Sequence, residues 1–262
     1  MRVLLSRAPR LIAATLTAGL ALATIGCHQA EKIRAQALAD SHTVTFRGPG
    51  GGPLDGRVFG PDSASAGVVL SHMTGSDQGA WLEFADRLGV AGYRVLTFNF
   101  PGTCPGGDAG CSPGTTSPQE APADIRAAVK YLRSLGVSRI GLIGAGLGGS
   151  ASLVMASQPA SNVEAVITLS STADADGVAV GPEVLQTVTA AKLFLAGDAD
   201  TLAADSAQAF YDASLPPKEV DLLTAADHGT DLLLGSQGEK TRNLILGYLD
   251  RYLPVSPATP TP

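Results

Sequence analysis

The sequence predicts an α/β protein: a mostly parallel, mixed sheet with helices on both faces. Three observations carry that prediction. Short apolar runs alternate with segments whose apolar residues recur every three to four positions, the pattern of strands and helices taken in turn. Several of the apolar runs are nearly continuous, as in Gly67–Ser71 and Arg94–Phe98, which suits strands buried on both faces of a parallel sheet. At residues 137–152 one such run, Ile140 to Ile143, meets a glycine cluster and then an apolar stretch of helical character from Leu147 to Met155. Strand, tight turn and helix in so few residues require small side chains, because the two backbones nearly touch at the corner.

In order, His42–Arg47 alternates like a strand, and a glycine run from Gly48 to Gly52 turns it into a hairpin partner, Leu54–Phe59. Strand 67–71 follows. Trp81 to Val90 has helical spacing, with Trp81, Phe84 and Leu88 on one face, and strand 94–98 comes next. Ile125, Val129, Leu132 and Leu135 mark a helix. The series continues with strand 139–143, helix 147–157, strands 163–169 and 191–196, helix 204–213, strand 218–223 and helix 238–252. The antiparallel opening hairpin is what makes the sheet mixed. No internal repeat is visible.

The 262 residues, 45% of them hydrophobic, suffice for one core in a single domain, placed at 42–252. The last ten residues, 253–262, are proline-rich and are expected to be disordered. At the other end, Arg2, Arg7 and Arg10 precede or border an uncharged run, Leu11 to Gly26, which is too short to span a bilayer comfortably. The run closes on Leu22-Ala-Thr-Ile-Gly-Cys27. This resembles a bacterial lipoprotein signal, with residues 1–26 removed and the Cys27 thiol lipidated, although Thr24 departs from the usual residue three before the cysteine. An ordinary secretory signal cut nearby is the other reading, and both imply export. Residues 27–41 then read as a tether. The lipid resemblance implies anchoring to the outer face of the bacterial cell membrane through Cys27.

Charge narrows the partners. The chain has 18 basic and 24 acidic residues, and losing the three N-terminal arginines leaves 15 against 24, or −9. No basic cluster marks the remainder, which excludes nucleic acid and leaves the lipid, rather than a basic face, as the route to a membrane. Of three cysteines, Cys104 and Cys111 share a glycine-rich loop and are expected to close a disulfide in an oxidising exterior. A metal pair there lacks further Cys or His ligands, so no metal and no cofactor are expected. The oligomeric state is not legible.

In open parallel sheets ligands bind beyond the carboxyl ends of the strands. Five such ends carry polar residues or the glycine corner: His72-Met-Thr-Gly-Ser76 after strand 67–71, Asn99-Phe-Pro-Gly102 after strand 94–98, the corner Gly144-Ala-Gly-Leu-Gly-Gly149, Gly197-Asp-Ala-Asp200 after strand 191–196, and Asp227-His-Gly-Thr230 after strand 218–223. An elbow, an acid and a histidine in that order match the nucleophile, acid and base order of one large enzyme class. On these motifs residues 42–252 resemble the α/β-hydrolase fold family, in its dienelactone-hydrolase-like and acyl-esterase-like branch. The resemblance implies that Asp200 is the acid and His228 the base. It further implies that backbone amides of Thr74 and Leu147 form an oxyanion site, and that Asn99-Phe-Pro-Gly102 replaces the family's Asp-x-Arg-Gly with both polar residues altered.

The elbow itself departs from the family: Gly146 stands where Gly-x-Ser-x-Gly has its serine. A triad works because histidine takes a proton from the attacking hydroxyl, so Asp200 and His228 without that hydroxyl can only orient a water. Oxyanion site and binding alone leave roughly 10³-fold acceleration, too little for a dedicated esterase. Ser150, one helical turn further on, is a weak alternative nucleophile whose simpler role is packing helix on sheet. Ser170 and Ser171 end a strand, and Ser71 and Ser76 are expected to bond backbone. Asp198 reads as a solvated turn residue and His72 as a structural histidine.

The same corner also fits the dinucleotide fingerprint Gly-x-Gly-x-x-Gly, but that motif wants an acidic residue at the end of the next strand. That strand ends in Leu169-Ser170-Ser171. The expected protein is therefore a hydrolase-like fold that binds a small ester-like or acyl ligand, or a protein partner, without efficient turnover. A working ester hydrolase using a neighbouring serine or a water is the alternative, and a dinucleotide-binding oxidoreductase the remote one.

Overall fold

The computed structural model describes residue 29 and residues 31–255. The chain divides into two units, residues 1–36 and 37–262. Of the first, the described residues are helical. The signal segment, Cys27 and the last seven residues of the tail lie outside the described residues. Among the described residues no helix is long and apolar enough to cross a membrane.

The second unit begins with the end of a helix, 31–39, which sinks Ala37 fully into the core before the first strand starts. Eight strands then form one sheet: β1 (His42–Arg47), β2 (Pro53–Phe59), β3 (Ala66–Ser71), β4 (Arg94–Phe98), β5 (Arg139–Ala145), β6 (Ala165–Leu169), β9 (Ala191–Gly197) and β10 (Lys218–Leu223). Between β6 and β9 lies a small separate hairpin, β7 (Asp174–Ala175) with β8 (Val178–Ala179), which the sequence pattern does not announce. The sheet order is β1-β2-β4-β3-β5-β6-β9-β10. The opening hairpin is antiparallel and β2 runs antiparallel to β4; every other pairing is parallel. This is the mixed, mostly parallel sheet that the alternation of elements predicts.

Helices cover both faces, because strands with apolar side chains on both sides need cover on both. All six residues of β3 are buried, and so are all seven of β9. On one side α1 (Leu82–Val90) packs through Phe84, Ala85 and Leu88; α6 (Gly238–Tyr252) joins it through Ile245, Tyr248 and Leu249. On the other side lie α2 (Ala121–Ser134), α3 (Leu147–Ser157), the short α4 (Pro182–Leu185) and α5 (Thr201–Ala213). Helix α5 begins three residues earlier than its apolar pattern, directly after Asp200. Trp81 ends a 3₁₀ turn (Gln78–Trp81) ahead of α1 and is fully buried, as packing rather than as a ligand platform.

Helix α3 is the one most enclosed. Nine of its eleven residues are buried, from Leu147 through Ala156, so it lacks the polar face of a surface helix. Its first turn sits against neighbouring backbone. A methyl group built on Gly144 would lie 2.3 Å from the Gly148 carbonyl carbon, and one on Gly148 would lie 2.3 Å from the Ser71 carbonyl oxygen. Both are backbone contacts that no side-chain rotation can relieve. The glycine cluster therefore lets β5, β3 and α3 converge, which is what sets the corner between them.

That convergence gives a paired test. Gly148→Ala should destabilise the fold by about 3 kcal/mol or more, since backbone must move. Gly247→Ala, at a helical position with nothing within 4 Å of the added methyl, should instead stabilise by about 0.5–1 kcal/mol. Urea denaturation of both variants measures the difference.

Candidate active site

The corner that α3 makes with β5 is Gly146. Its backbone has φ +48° and ψ −118°, a conformation that side-chain-bearing residues adopt only under strain and that glycine adopts freely. The turn is held from three sides. The Gly146 amide donates to the Leu169 carbonyl (2.9 Å); its carbonyl accepts the Ser150 amide (3.1 Å) and the Ser171 hydroxyl (3.0 Å). Leu147, the first residue of α3, has its amide at the helix start, where no acceptor within the helix exists.

Opposite this corner stand the two residues the sequence assigns as base and acid. His228 follows β10 and Asp200 follows β9, and Nδ1 of His228 lies 2.6 Å from Oδ2 of Asp200. The carboxylate can only accept, so Nδ1 carries the proton and Nε2 is left as a basic lone pair. A Cβ built on Gly146 would lie 3.9 Å from that Nε2. A hydroxyl on such a Cβ comes within hydrogen-bond reach of roughly 2.6–3.2 Å, the geometry of a nucleophile with its base. Positions 146, 200 and 228 thus surround one point, with the His228–Asp200 pair facing a glycine.

Met73 occupies the space that a side chain at 146 would need. Its Cβ would be 2.9 Å from the built Cβ of position 146, and its sulfur 2.5 Å from one built at Gly229. The side chain therefore reaches from the elbow to the residue after His228, over the gap between them. The sequence motifs point to Thr74 rather than Met73 in this loop, and no sequence signal singles out the methionine. Thr74 itself is exposed, and its hydroxyl donates to Oδ2 of Asp176 in the turn of the β7–β8 hairpin.

The loop after β3 is anchored by His72. The Phe100 amide donates to His72 Nε2 (3.1 Å), which forces the proton onto Nδ1, and Nδ1 donates to the Met73 carbonyl (2.9 Å). Burial holds the pKa of this imidazole below its ordinary value of 6.5, with the backbone bond to Met73 opposing. His72 is thus a neutral structural strut, as its place in the loop suggests. Asn99, in the altered segment after β4, accepts the Gln78 amide (2.9 Å) and donates to the Ala109 carbonyl (2.6 Å), so it also braces loops. Cys104 and Cys111 are joined as a disulfide around that loop.

The other hydroxyl candidates lead elsewhere. Ser150 is fully buried and donates to the Thr172 carbonyl (2.9 Å), a packing role within α3. Ser171 bonds the elbow carbonyl. Ser71, expected to bond backbone, instead has its hydroxyl buried without a hydrogen-bond partner, as does Ser170. Asp198 accepts the Ala225 amide (3.2 Å) in the turn between β9 and α5, leaving Asp200 as the acid that meets His228. Among the described residues no group of three or more His, Cys, Asp and Glu side chains could hold a metal ion. The glycines of the dinucleotide-like pattern serve the backbone contacts of the corner, and β6 beside it ends at Leu169 with Ser170 next.

Comparison with known proteins agrees with this fold. The sequence model of the alpha/beta hydrolase fold matches residues 68–233, well over half of the chain. No curated protein sequence matches. Among solved structures, an esterase from Pyrococcus furiosus superposes with a TM-score of 0.67 at 19% identity, covering 83% of this chain and 95% of that one. The dienelactone hydrolase of Anabaena variabilis gives 0.64 at 20%, covering 81% and 98%. A serine hydrolase homologue from Coxiella burnetii gives 0.64 at 19%, covering 79% and 97%. At these identities the likeness is one of fold.

The His72 strut makes a prediction of its own. His72→Ala strands the Phe100 amide and removes the tie to Met73, so it should lower stability by about 2–5 kcal/mol. The pH response has a definite sign. The folded state resists protonating His72 more than the unfolded state does, so the native protein is stabilised above pH 6.5 and loses stability as pH falls below it. Denaturant midpoints measured from pH 7.5 to 5 should fall for the native chain and flatten in His72→Ala.

Proposed function

The chain belongs to the alpha/beta hydrolase fold family, and on that premise we propose that it is a degenerate hydrolase: a pocket that binds a small ester-like or acyl ligand, or a partner presenting such a group, without efficient turnover. The observation that carries this reading is what two residues do at one point. Gly146 removes the attacking oxygen, and Met73 fills the place where its side chain would stand, while His228 and Asp200 keep their hydrogen bond. Loss of the serine alone removes covalent catalysis, because no acyl-enzyme can form on a bare Cα. Met73 adds an apolar contact surface beside Gly146 and Gly229. Donors that would hold a carbonyl oxygen persist at the start of α3, so affinity for acyl groups survives without the chemistry.

A second reading has one observation in its favour. The side chain of His228 is 48% exposed, and its Nε2 faces the elbow, so it can polarise a water for direct attack on a bound ester. The two readings part on one measurement. Slow ester turnover by the native chain that His228→Ala abolishes supports the water route; turnover indifferent to that change, or none, supports binding alone.

We also propose that the chain is exported and held at the outer face of the membrane by lipid on Cys27, on the strength of the Arg-flanked apolar segment that ends at this cysteine. Cys27→Ser should then release the protein from the membrane fraction of expressing bacteria. A chain that stays membrane-bound after this change contradicts the anchor.

The decisive experiment on the pocket restores the nucleophile. Gly146→Ser alone should stay inert, because its Cβ meets the Met73 Cβ. Met73→Ala does not help, since alanine keeps that atom. The double variant Gly146→Ser, Met73→Gly should react with a fluorophosphonate probe and hydrolyse short aryl esters at least about 10²-fold faster than the native chain. The native chain should not be labelled. If the double variant folds and still shows neither labelling nor turnover, Asp200 and His228 are not a working acid–base pair.

A further inference from the structure

Away from His228, a cavity of about 330 Å³ opens between the β1–β2 hairpin loop, the turn after β4 and the start of α2. It shares no lining residue with the site described above. Its volume lies at the lower end of the roughly 300–1,000 Å³ typical of small-molecule sites. The walls are Pro49, Pro53, Pro101, Pro113 and Leu54 with glycine backbone between them. Rigid apolar residues of this kind hold a shape without a ligand to support them.

The polar content of the cavity is one-sided. Among the described residues, its only titratable lining side chains are two carboxyls, Glu120 and Asp124, one helical turn apart, and no basic side chain lines it. Glu120 is exposed at the mouth, just ahead of α2. Asp124 is 1% exposed, and its Oδ2 is buried without a hydrogen-bond partner. Its other oxygen lies in contact range of Gly48, 3.5 Å from a Cβ built there, so the carboxyl reaches toward the hairpin loop. A buried acid with an oxygen left unpaired is costly, because that oxygen has given up water without gaining a hydrogen bond. Apolar residues would fill this place more cheaply.

We propose that this cavity is a second ligand site, for a small organic cation with an apolar body, an alkyl- or arylammonium whose N–H groups bond Asp124 while its hydrocarbon part rests on the prolines. Anions are disfavoured by two carboxyls with no compensating charge. A bare metal ion is disfavoured because two carboxylates among proline walls fall short of the six to eight oxygens a hard cation collects. An ammonium satisfies the free oxygen, offsets the charge and buries apolar surface together.

The proposal fixes a pH dependence. Burial, and then the charge of Glu120, push the Asp124 carboxyl up to about 7. Glu120 is the only charged group that faces it from the cavity lining; the hairpin loop, the turn after β4 and residues 113–117 contribute none. Arg47, the nearest basic residue in the hairpin, is tied to the Gly51 carbonyl (3.2 Å). A ligand that stays cationic throughout binds the ionised carboxylate, so its apparent affinity should drop about tenfold between pH 8 and pH 6, following the ionised fraction.

Phenethylamine and its neutral isostere phenethyl alcohol test this by calorimetry or ligand-observed NMR on the full chain. Saturable amine binding at pH 8, at least about tenfold tighter than the alcohol and weakened about tenfold or more by Asp124→Asn, supports the site. Glu120→Gln, a change at an exposed position, should weaken the amine by a smaller factor and leave folding untouched, which keeps the test open if Asp124→Asn is unstable. Equal binding of amine and alcohol overturns the proposal. So does amine binding that survives both substitutions, or the absence of saturable binding at about 10 mM, in which case water alone solvates Asp124.

Discussion

The convergence of three backbones at the start of α3 is the constraint from which the rest of the site follows. Gly144 and Gly148 allow β5 and α3 to meet at van der Waals distance, with the Ser71 carbonyl of β3 pressed on the same turn. Once that corner is closed, Gly146 must project at the carboxyl end of the sheet. The loops after β3, β9 and β10, emerging from parallel strands on either side, must gather around it. Asp200 and His228 meet because β9 and β10 are neighbours in register, with Gly197 beside Leu223, so that the two loops leave the sheet side by side. No part of this depends on a nucleophile. The architecture brings Asp200 and His228 together whether or not there is a hydroxyl beside them.

How far that arrangement was legible in the sequence differs from element to element. Strands β3, β4 and β5 could be read because full burial on both faces leaves nearly unbroken apolar runs. Asp200 and His228 could be placed because each follows a strand, and strand ends are where an open parallel sheet presents side chains. The β7–β8 hairpin escaped, since two-residue strands carry no periodicity, and with it went the Thr74–Asp176 contact that joins it to the loop after β3. The start of α5 was read late because Thr201 and Leu202 are exposed and contribute nothing to the apolar stripe. Met73 was invisible for a different reason. Its importance comes from where its Cβ lies relative to a glycine 73 residues away, and a missing side chain writes no pattern of its own. Nothing in the sequence marks Asp124 as buried; the packing of the hairpin loop over α2 encloses its carboxyl.

Gly146 and Met73 are coupled energetically at the elbow. A serine at φ +48°, ψ −118° holds strain of about 1–3 kcal/mol, which active sites tolerate because the turn is what exposes the hydroxyl. Glycine at the same dihedrals holds little, so Gly146 releases that strain to the stability of the fold. The gap left by the missing side chain would ordinarily offset part of this gain, since unfilled space beside buried surface forfeits dispersion contacts. Met73 closes the gap, placing Cβ against the elbow and sulfur against Gly229. Stability and catalysis pull in opposite directions at such sites, and here glycine at 146 and methionine at 73 both favour stability. On the proposed reading, a serine at 146 would meet the Met73 side chain, and a smaller residue at 73 would uncover no hydroxyl. On that reading, the pocket is held in a non-covalent state by Gly146 and Met73 together, rather than by the loss of a single oxygen.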